Sequence, residues 1–168
     1  GLGTFAVTWA NSFVNDYTTV DLSGTSHLEG VERSDSGIPE WTSNMIVNWS
    51  LSKWCGSWTA RLIDGVTESC SDFLDGTPNS LTALGLCSDP APIEADSKNR
   101  LGTTVYHDVQ LAYDVGEWMG MDTTFKLGFN NLFDKAPPIC LSCSLNGYDA
   151  STYDVPGRFF YARYTQRF

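Results

Sequence analysis

The chain has 168 residues and a net charge of −10, with charged residues held to 18% and six Trp, seven Tyr and nine Phe. A chain this acidic has little to neutralise phosphates with, which argues against nucleic-acid binding. There is no run of 18 apolar residues, which excludes a transmembrane helix but leaves open barrel strands, short and only half apolar.

The opening Gly1-Leu2-Gly3-Thr4-Phe5-Ala6 has no Met and no basic n-region, so it is not a signal peptide and reads as entered ahead of a strand. Period-2 alternation then recurs six times. The first segment sets Phe5, Val7, Trp9 and Phe13 against Thr4, Ala6, Thr8, Ala10 and Ser12. The second sets Trp41, Met45, Val47, Trp49 and Leu51 against Thr42, Asn44, Asn48 and Ser50, with Ile46 the exception. A shorter third carries Trp58, Ala60 and Leu62 opposite Thr59, Arg61 and Ile63. The fourth places Leu101, Val105, Val109, Leu111, Tyr113 and Val115 opposite Thr104, Asp108, Gln110 and Asp114. The fifth sets Met121, Phe125, Leu127 and Phe129 against Asp122, Thr124, Lys126, Gly128 and Asn130. The sixth sets Phe160, Ala162, Tyr164 and Phe168 against Arg163, Thr165 and Arg167. Apart from the third, these segments exceed the ~5–6 residues of a globular strand and match the ~9–11 that a tilted strand needs to cross a bilayer.

Short connections, Ser52 to Ser57 and Gly116 to Gly120, alternate with long ones at about 15–40, 65–99 and 132–156. That is the arrangement of periplasmic turns and extracellular loops in an outer-membrane barrel, whereas structureless loops of this length argue against a compact soluble domain. The long loops hold fifteen of the twenty carboxylates but only Arg33, Lys98 and Lys135 of the bases. They read equally as solvated loops or as a surface for capturing cations. Phe5/Phe13, Trp41/Trp49 and Phe160/Phe168 are each eight residues apart, a spacing of roughly 20 Å along the membrane normal that suits two aromatic girdles. Trp49, Trp54, Trp58, Tyr113, Trp118 and Phe168 are expected together at the short-turn end.

Two motifs carry a family resemblance. Gly128-Phe129-Asn130-Asn131-Leu132-Phe133-Asp134-Lys135-Ala136-Pro137-Pro138 resembles the NLFDK-x-PP signature of TonB-dependent outer-membrane receptors, and Tyr153-Asp154-Val155-Pro156-Gly157-Arg158, followed by Phe159 to Phe168, resembles their closing YD-x-PGR and final strand. The resemblance implies an all-β fold, an antiparallel meander of six long transmembrane strands forming the last part of a ~22-stranded barrel. It implies TonB-driven import of a scarce nutrient such as a siderophore, cobalamin or oligosaccharide, with the TonB energy-coupling system and a plug domain as partners. Outer-membrane lipid would surround it, and the barrel assembly machinery would read Phe168. It implies neither a cofactor nor an enzyme. The motif residues have structural readings. Asn131 and Asp134 can hydrogen-bond backbone groups at the strand exit, Pro137 and Pro138 stop pairing, Pro156 and Gly157 turn the chain, and Arg158 can set its guanidinium at the rim against loop carboxylates.

Cys70 and Cys87 share one long loop, and Cys140 and Cys143 another. Bridges within each loop are expected, with pairing across the loops the rival, since spacing alone cannot fix connectivity. Cys55 is left over in a short turn. Asp64, Glu68, Asp72 and Asp75 offer hard oxygens for calcium, although their spacing matches no calcium loop. His27 and His107 stand apart, and His107 replaces an apolar residue on an outward face. No catalytic motif is present. The competing readings are a passive porin or barrel anchor, and a soluble all-β binding module.

Overall fold

The computed structural model describes residues 1–22, 24–33, 35–70, 80–87, 96–118 and 120–167. Six strands form one antiparallel sheet: β1 (Thr4–Phe13), β5 (Trp41–Leu51), β6 (Trp54–Ile63), β9 (Thr104–Trp118), β10 (Met121–Asn130) and β11 (Phe159–Arg167), in that spatial order. Each pairs only with its neighbours in this series, so the six make a simple up-and-down meander. The fold is all-β, and no helix among the described residues is long and apolar enough to cross a membrane.

The register aligns the alternation of all six strands. Val7 lies opposite Val47, Val47 opposite Trp58, Trp58 opposite Val109, Val109 opposite Phe129, and Phe129 opposite Phe160. One face is therefore continuously apolar. The other carries the row Ala6, Asn48, Ser57, Gln110, Gly128 and Tyr161. A one-residue slip anywhere would exchange the faces. Among the described residues nothing covers the apolar face: Phe5, Val7, Trp9, Phe13, Phe125, Leu127, Phe129 and Phe160 are all exposed. Its polar atoms pair locally, with the Trp9 indole N–H donating to Ser43 Oγ at 2.8 Å and that of Trp41 to Asn11 Oδ1 at 3.1 Å.

Three expectations need correction. The third segment is not short, because β6 starts at Trp54 and has ten residues. The turn before it shrinks to Ser52 and Lys53, with Ser52 left-handed at φ 54°. Cys55 accordingly sits inside β6 opposite Ser50, not in a turn. Trp58 leaves the short-turn aromatic group and stacks at mid-strand on His107, centroids 5.6 Å apart, while Trp54 and Tyr113 meet at 4.6 Å. Val115 is the extra residue of a bulge, since Thr123 faces Gly116 while Thr124 faces Asp114.

The three long connections leave the same end of the sheet and have structure of their own. The first contains the hairpin β2 (Thr18–Asp21) and β3 (Gly24–His27), followed by β4 (Val31–Glu32). The second contains β7 (Val66–Ser69) and β8 (Asp96–Leu101), and β4 pairs in parallel with β7 across the two loops. The largest buried apolar cluster of the described residues lies here, not against the sheet: Val66, Leu101, Cys140, Cys143 and Tyr153, with Ile63 packed on it.

On the polar face the Tyr161 ring crosses β10 above Gly128 and its hydroxyl donates to Gln110 Oε1 at 3.0 Å. A Cβ on Gly128 would lie 2.4 Å from that ring. Gly128→Ala is expected to displace the ring and cost about 1–3 kcal/mol through overpacking. Tyr161→Phe, which loses only the hydrogen bond, should cost about 1 kcal/mol. Denaturant unfolding of the intact protein in micelles checks the order, and equal stability of Gly128→Ala and wild type would remove Tyr161 from above Gly128.

Candidate functional site

The loop cap is built where β6, β9 and β10 end. β10 stops because Asn131 turns left-handed at φ 48°, as does Asp134 at 56°. Asn131 is 2% exposed and satisfies the exit completely. Its backbone N–H donates to Asp108 Oδ1 at 2.8 Å, its Nδ2 donates to the Lys135 carbonyl at 2.9 Å, and its Oδ1 accepts the Lys135 N–H at 2.8 Å. The Leu132 N–H donates to the His107 carbonyl at 2.7 Å. Phe133 lays its ring edge-on to the His107 imidazole at 5.1 Å, so the outward histidine is held between Trp58 and Phe133. Pro137 and Pro138 follow in a stretch without strand pairing.

The two motifs meet through Asp134, whose Oδ1 accepts the Arg158 N–H at 2.8 Å. Gly157 is required beside it, since a Cβ there would come 2.7 Å from that oxygen. Pro156 leads into this contact. The Arg158 guanidinium is exposed and makes no ion pair among the described residues, contrary to the expectation of a rim contact. Arg61 makes that contact instead, with Nη2 2.5 Å from Asp154 Oδ2 and Nε 3.4 Å from Asp108 Oδ2. Arg61 also lies over the buried Tyr106 ring at 5.3 Å, and the Tyr106 hydroxyl donates to the Asp154 carbonyl at 3.4 Å. The Asp154 of the closing motif thereby pins the third loop over the polar face.

Beyond this rim lie three loop carboxylates, of which the sequence singled out only Glu68, as a calcium candidate. Glu32, Glu68 and Asp149 are each fully buried. None has an ion-pair partner among the described residues. Glu68 Oε2 accepts Asn99 Nδ2 at 2.6 Å, and its Oε1 accepts the Ser142 N–H. Asp149 Oδ1 accepts the Ser151 N–H at 2.8 Å, the Ser151 hydroxyl at 2.6 Å and the Thr152 N–H at 3.3 Å, while Oδ2 accepts the Gly37 N–H at 3.1 Å. Burial works against its charge, but these donors win and hold its carboxyl below the usual range. Glu32 has a single donor, the Ser36 N–H at 3.0 Å on Oε1, and its Oε2 has no hydrogen-bond donor. Burial first, then the adjoining Asp149 carboxyl and the charge of Glu68, push it up to about 8. Burial and the same two acids, Glu32 and Asp149, raise the Tyr153 phenol.

Cys70 is bonded to Cys87 and Cys140 to Cys143, with Cα–Cα distances of 5.9 and 5.3 Å, so each bridge stays within its loop. Glu32 and the two sulfurs of Cys140 and Cys143 lie together, but the disulfide occupies both sulfurs and leaves a single carboxylate as ligand. Asp16, His27 and Glu29 converge on the exposed first hairpin, His27 Nδ1 being 3.5 Å from Asp16 Oδ1 and 3.9 Å from Glu29 Oε1. Of the four calcium candidates, only Asp64 and Glu68 lie among the described residues. Asp64 Oδ1 accepts the Gly65 N–H and the Thr103 hydroxyl, Glu68 is engaged as above, and Asp72 and Asp75, like Phe168, lie outside the described residues.

The fold is similar to that of the ferric-catecholate import receptor Fiu from E. coli K12, with a TM-score of 0.53 and 18% identity over 96% of this chain. The chain spans 19% of that receptor's length. No protein-family model matches it, and no curated protein matches it by sequence. The likeness gives the fold alone, a run of long antiparallel strands.

Asn131 gives a direct test of the rim. Asn131→Ala removes both side-chain bonds and puts a Cβ-bearing residue without a local partner in the left-handed region, at an expected cost of about 2–4 kcal/mol. Asn131→Gly keeps the backbone freedom and should recover about 1 kcal/mol of that. Unfolding midpoints of the two variants give the ordering.

Proposed function

We propose that this chain is the C-terminal barrel portion of a TonB-dependent outer-membrane receptor that imports a scarce nutrient such as a siderophore, cobalamin or oligosaccharide. The observation that carries the reading is the uncovered apolar face, continuous across six strands of nine to fifteen residues. In water such a face would be a gross liability; against hydrocarbon it is what a barrel wall needs. At ~3.3 Å per residue and a ~40° tilt, ten residues cover about 25 Å of membrane normal, the height of the apolar band. The two motifs, the long loops at one end and the similarity to an import receptor support the same reading.

On this reading the polar face lines the lumen, and the loops through 15–40, 65–99 and 132–156 form part of the extracellular mouth. β1 and β11 pair with further strands of a ~22-stranded barrel, because open edges are not tolerated in lipid. A plug domain fills that barrel and couples it to TonB, while the assembly machinery reads Phe168. The rim residues Asn131, Leu132, Phe133, Asp134, Tyr153, Gly157 and Arg158 shape and anchor the third loop, so the transported ligand meets other surfaces. No catalytic residue or cofactor enters.

Two experiments test this. Deleting the gene should abolish energised uptake of its nutrient, and removing TonB or the proton gradient should do the same; uptake that needs the gene but survives loss of TonB and of the gradient would mark a passive porin. For the face assignment, Val47→Arg should destabilise the bilayer-inserted protein by about 2–4 kcal/mol, as a cation near the midplane does. Asn48→Arg, one residue along on the lumen side, should be tolerated. The reverse order would put the hydrocarbon on the other face.

A further inference from the structure

We propose that Glu32 and Asp149 form a proton-operated clamp between the first and third long loops, closed while the pair holds one proton and released when both are ionised. The geometry sets the two carboxyls on either side of one small residue, where they can share a proton. The two carboxyls are fully buried and close around Gly37, where a Cβ would fall 2.5 Å from Glu32 Oε2, 3.1 Å from Thr152 Oγ1 and 3.2 Å from Asp149 Oδ2. Asp149 has donors on both oxygens and is suited to carry the charge. Glu32 Oε2, with no donor of its own, is suited to carry the proton and give it to Asp149.

The groups facing Glu32 add no positive charge. From the third loop it meets Asp149, the Tyr153 ring and the Cys140–Cys143 disulfide, with Glu32 Oε1 3.7 Å from Cys143 Sγ. From the second loop it meets the field of Glu68. Two like charges buried side by side without a cation cannot both persist. Four other ties join these loops: the Gly37 N–H donates to Asp149 Oδ2 at 3.1 Å, the Thr152 hydroxyl to the Gly37 carbonyl at 3.3 Å, the Ser151 hydroxyl to the Asp35 carbonyl at 2.8 Å, and Ser144 to Asp35, and none of them needs the Glu32 proton. Losing the proton therefore sets two buried like charges against each other across the two loops, and these ties must hold against that repulsion.

The sign follows from linkage. The closed state holds the Glu32 proton up to about 8, while an open, solvated loop releases it near the ordinary 4.5. Closure is thus strongest below the ordinary value and weakens as pH rises, by about tenfold per pH unit, until Glu32 ionises in the closed state too. Asp149 opposes this only at the acid end, near its ordinary 3.8. Acid seals the mouth, and alkali loosens it.

Hydrogen–deuterium exchange of the intact protein in micelles, corrected for intrinsic exchange, tests the clamp across pH 5 to 9 as chosen conditions, about the range where linkage predicts the slope. The opening constant for residues 31–37 and 149–153 should rise about tenfold per unit and level off above about 8. Glu32→Gln, whose amide donates to Asp149 at every pH, should stay closed with no slope. A flat wild-type profile, or an equal slope in Glu32→Gln, would overturn the proposal. The wild-type protein alone gives a second readout: a protonated-carboxyl infrared band should be present at neutral pH and vanish above about 8. Its absence at neutral pH would also overturn the clamp.

Discussion

The structure depends on one uninterrupted antiparallel ladder. Because side chains alternate with a period of two, each strand's pairing decides which of its side chains reach the apolar face. The bulge at Val115 shows how strictly parity is kept. Trp118 shares its even parity with Asp114, which lies on the polar side. The extra residue shifts the strand by one, so that Trp118 faces Met121 on the apolar side. Gly116, at φ 79°, supplies the left-handed geometry, and Asp114 Oδ1 accepts its N–H at 2.9 Å. Lys53 Nζ donates to the freed Val115 carbonyl at 2.9 Å, so the irregularity leaves no orphan acceptor there.

Opposite demands shape the two ends of the sheet. At the short-turn end, Ser52 reverses the chain within two residues, which leaves little room for ligand contacts. At the other end the chain makes long excursions with few apolar residues to hold them. Their core is five side chains, two of them half-cystines. The 17-residue separation closed by Cys70–Cys87 contributes roughly 3 kcal/mol in the chain-entropy model. Further order comes from buried carboxylates that accept backbone N–H groups within their own loops and across them, Glu68 from Ser142 and Asp149 from Gly37. Acidic residues here are the adhesive of the cap, which explains why so negative a set of loops packs at all.

The sheet was readable in the sequence, and the cap was not. Strands of ten residues show their alternation locally, and the spacing of their turns orders them. β4, with two residues, has no period to detect, and its parallel partner β7 lies in another loop, so only the assembled fold brings Val31 opposite Thr67. β6 looked short because Trp54-Cys55-Gly56-Ser57 resembles a turn by composition, yet Gly56 fits where the Trp49 side chain comes within 3.3 Å of its absent Cβ. Glu32 and Glu68 gave no signal of burial. Asp149 did: Ser151 and Thr152, two and three positions on, are the donors an aspartate turn uses. That pattern marks a carboxylate spent on its own backbone, and it separates Asp149 from the solvated acids around it.

The rim connects the two parts and also limits where a ligand can be read. Arg61 and Asp108 come from the sheet, Asp154 from the third loop, and Asn131 and Asp134 from the turn between them. Their hydrogen-bonding groups are mostly spent on one another or on backbone. A side chain so engaged can fix a loop's position but has little left for a guest. Specificity on the proposed reading must then come from the exposed parts of the loops and from strands beyond these six. On that reading the motifs say nothing of the cargo, since they do the structural work that any cargo would require.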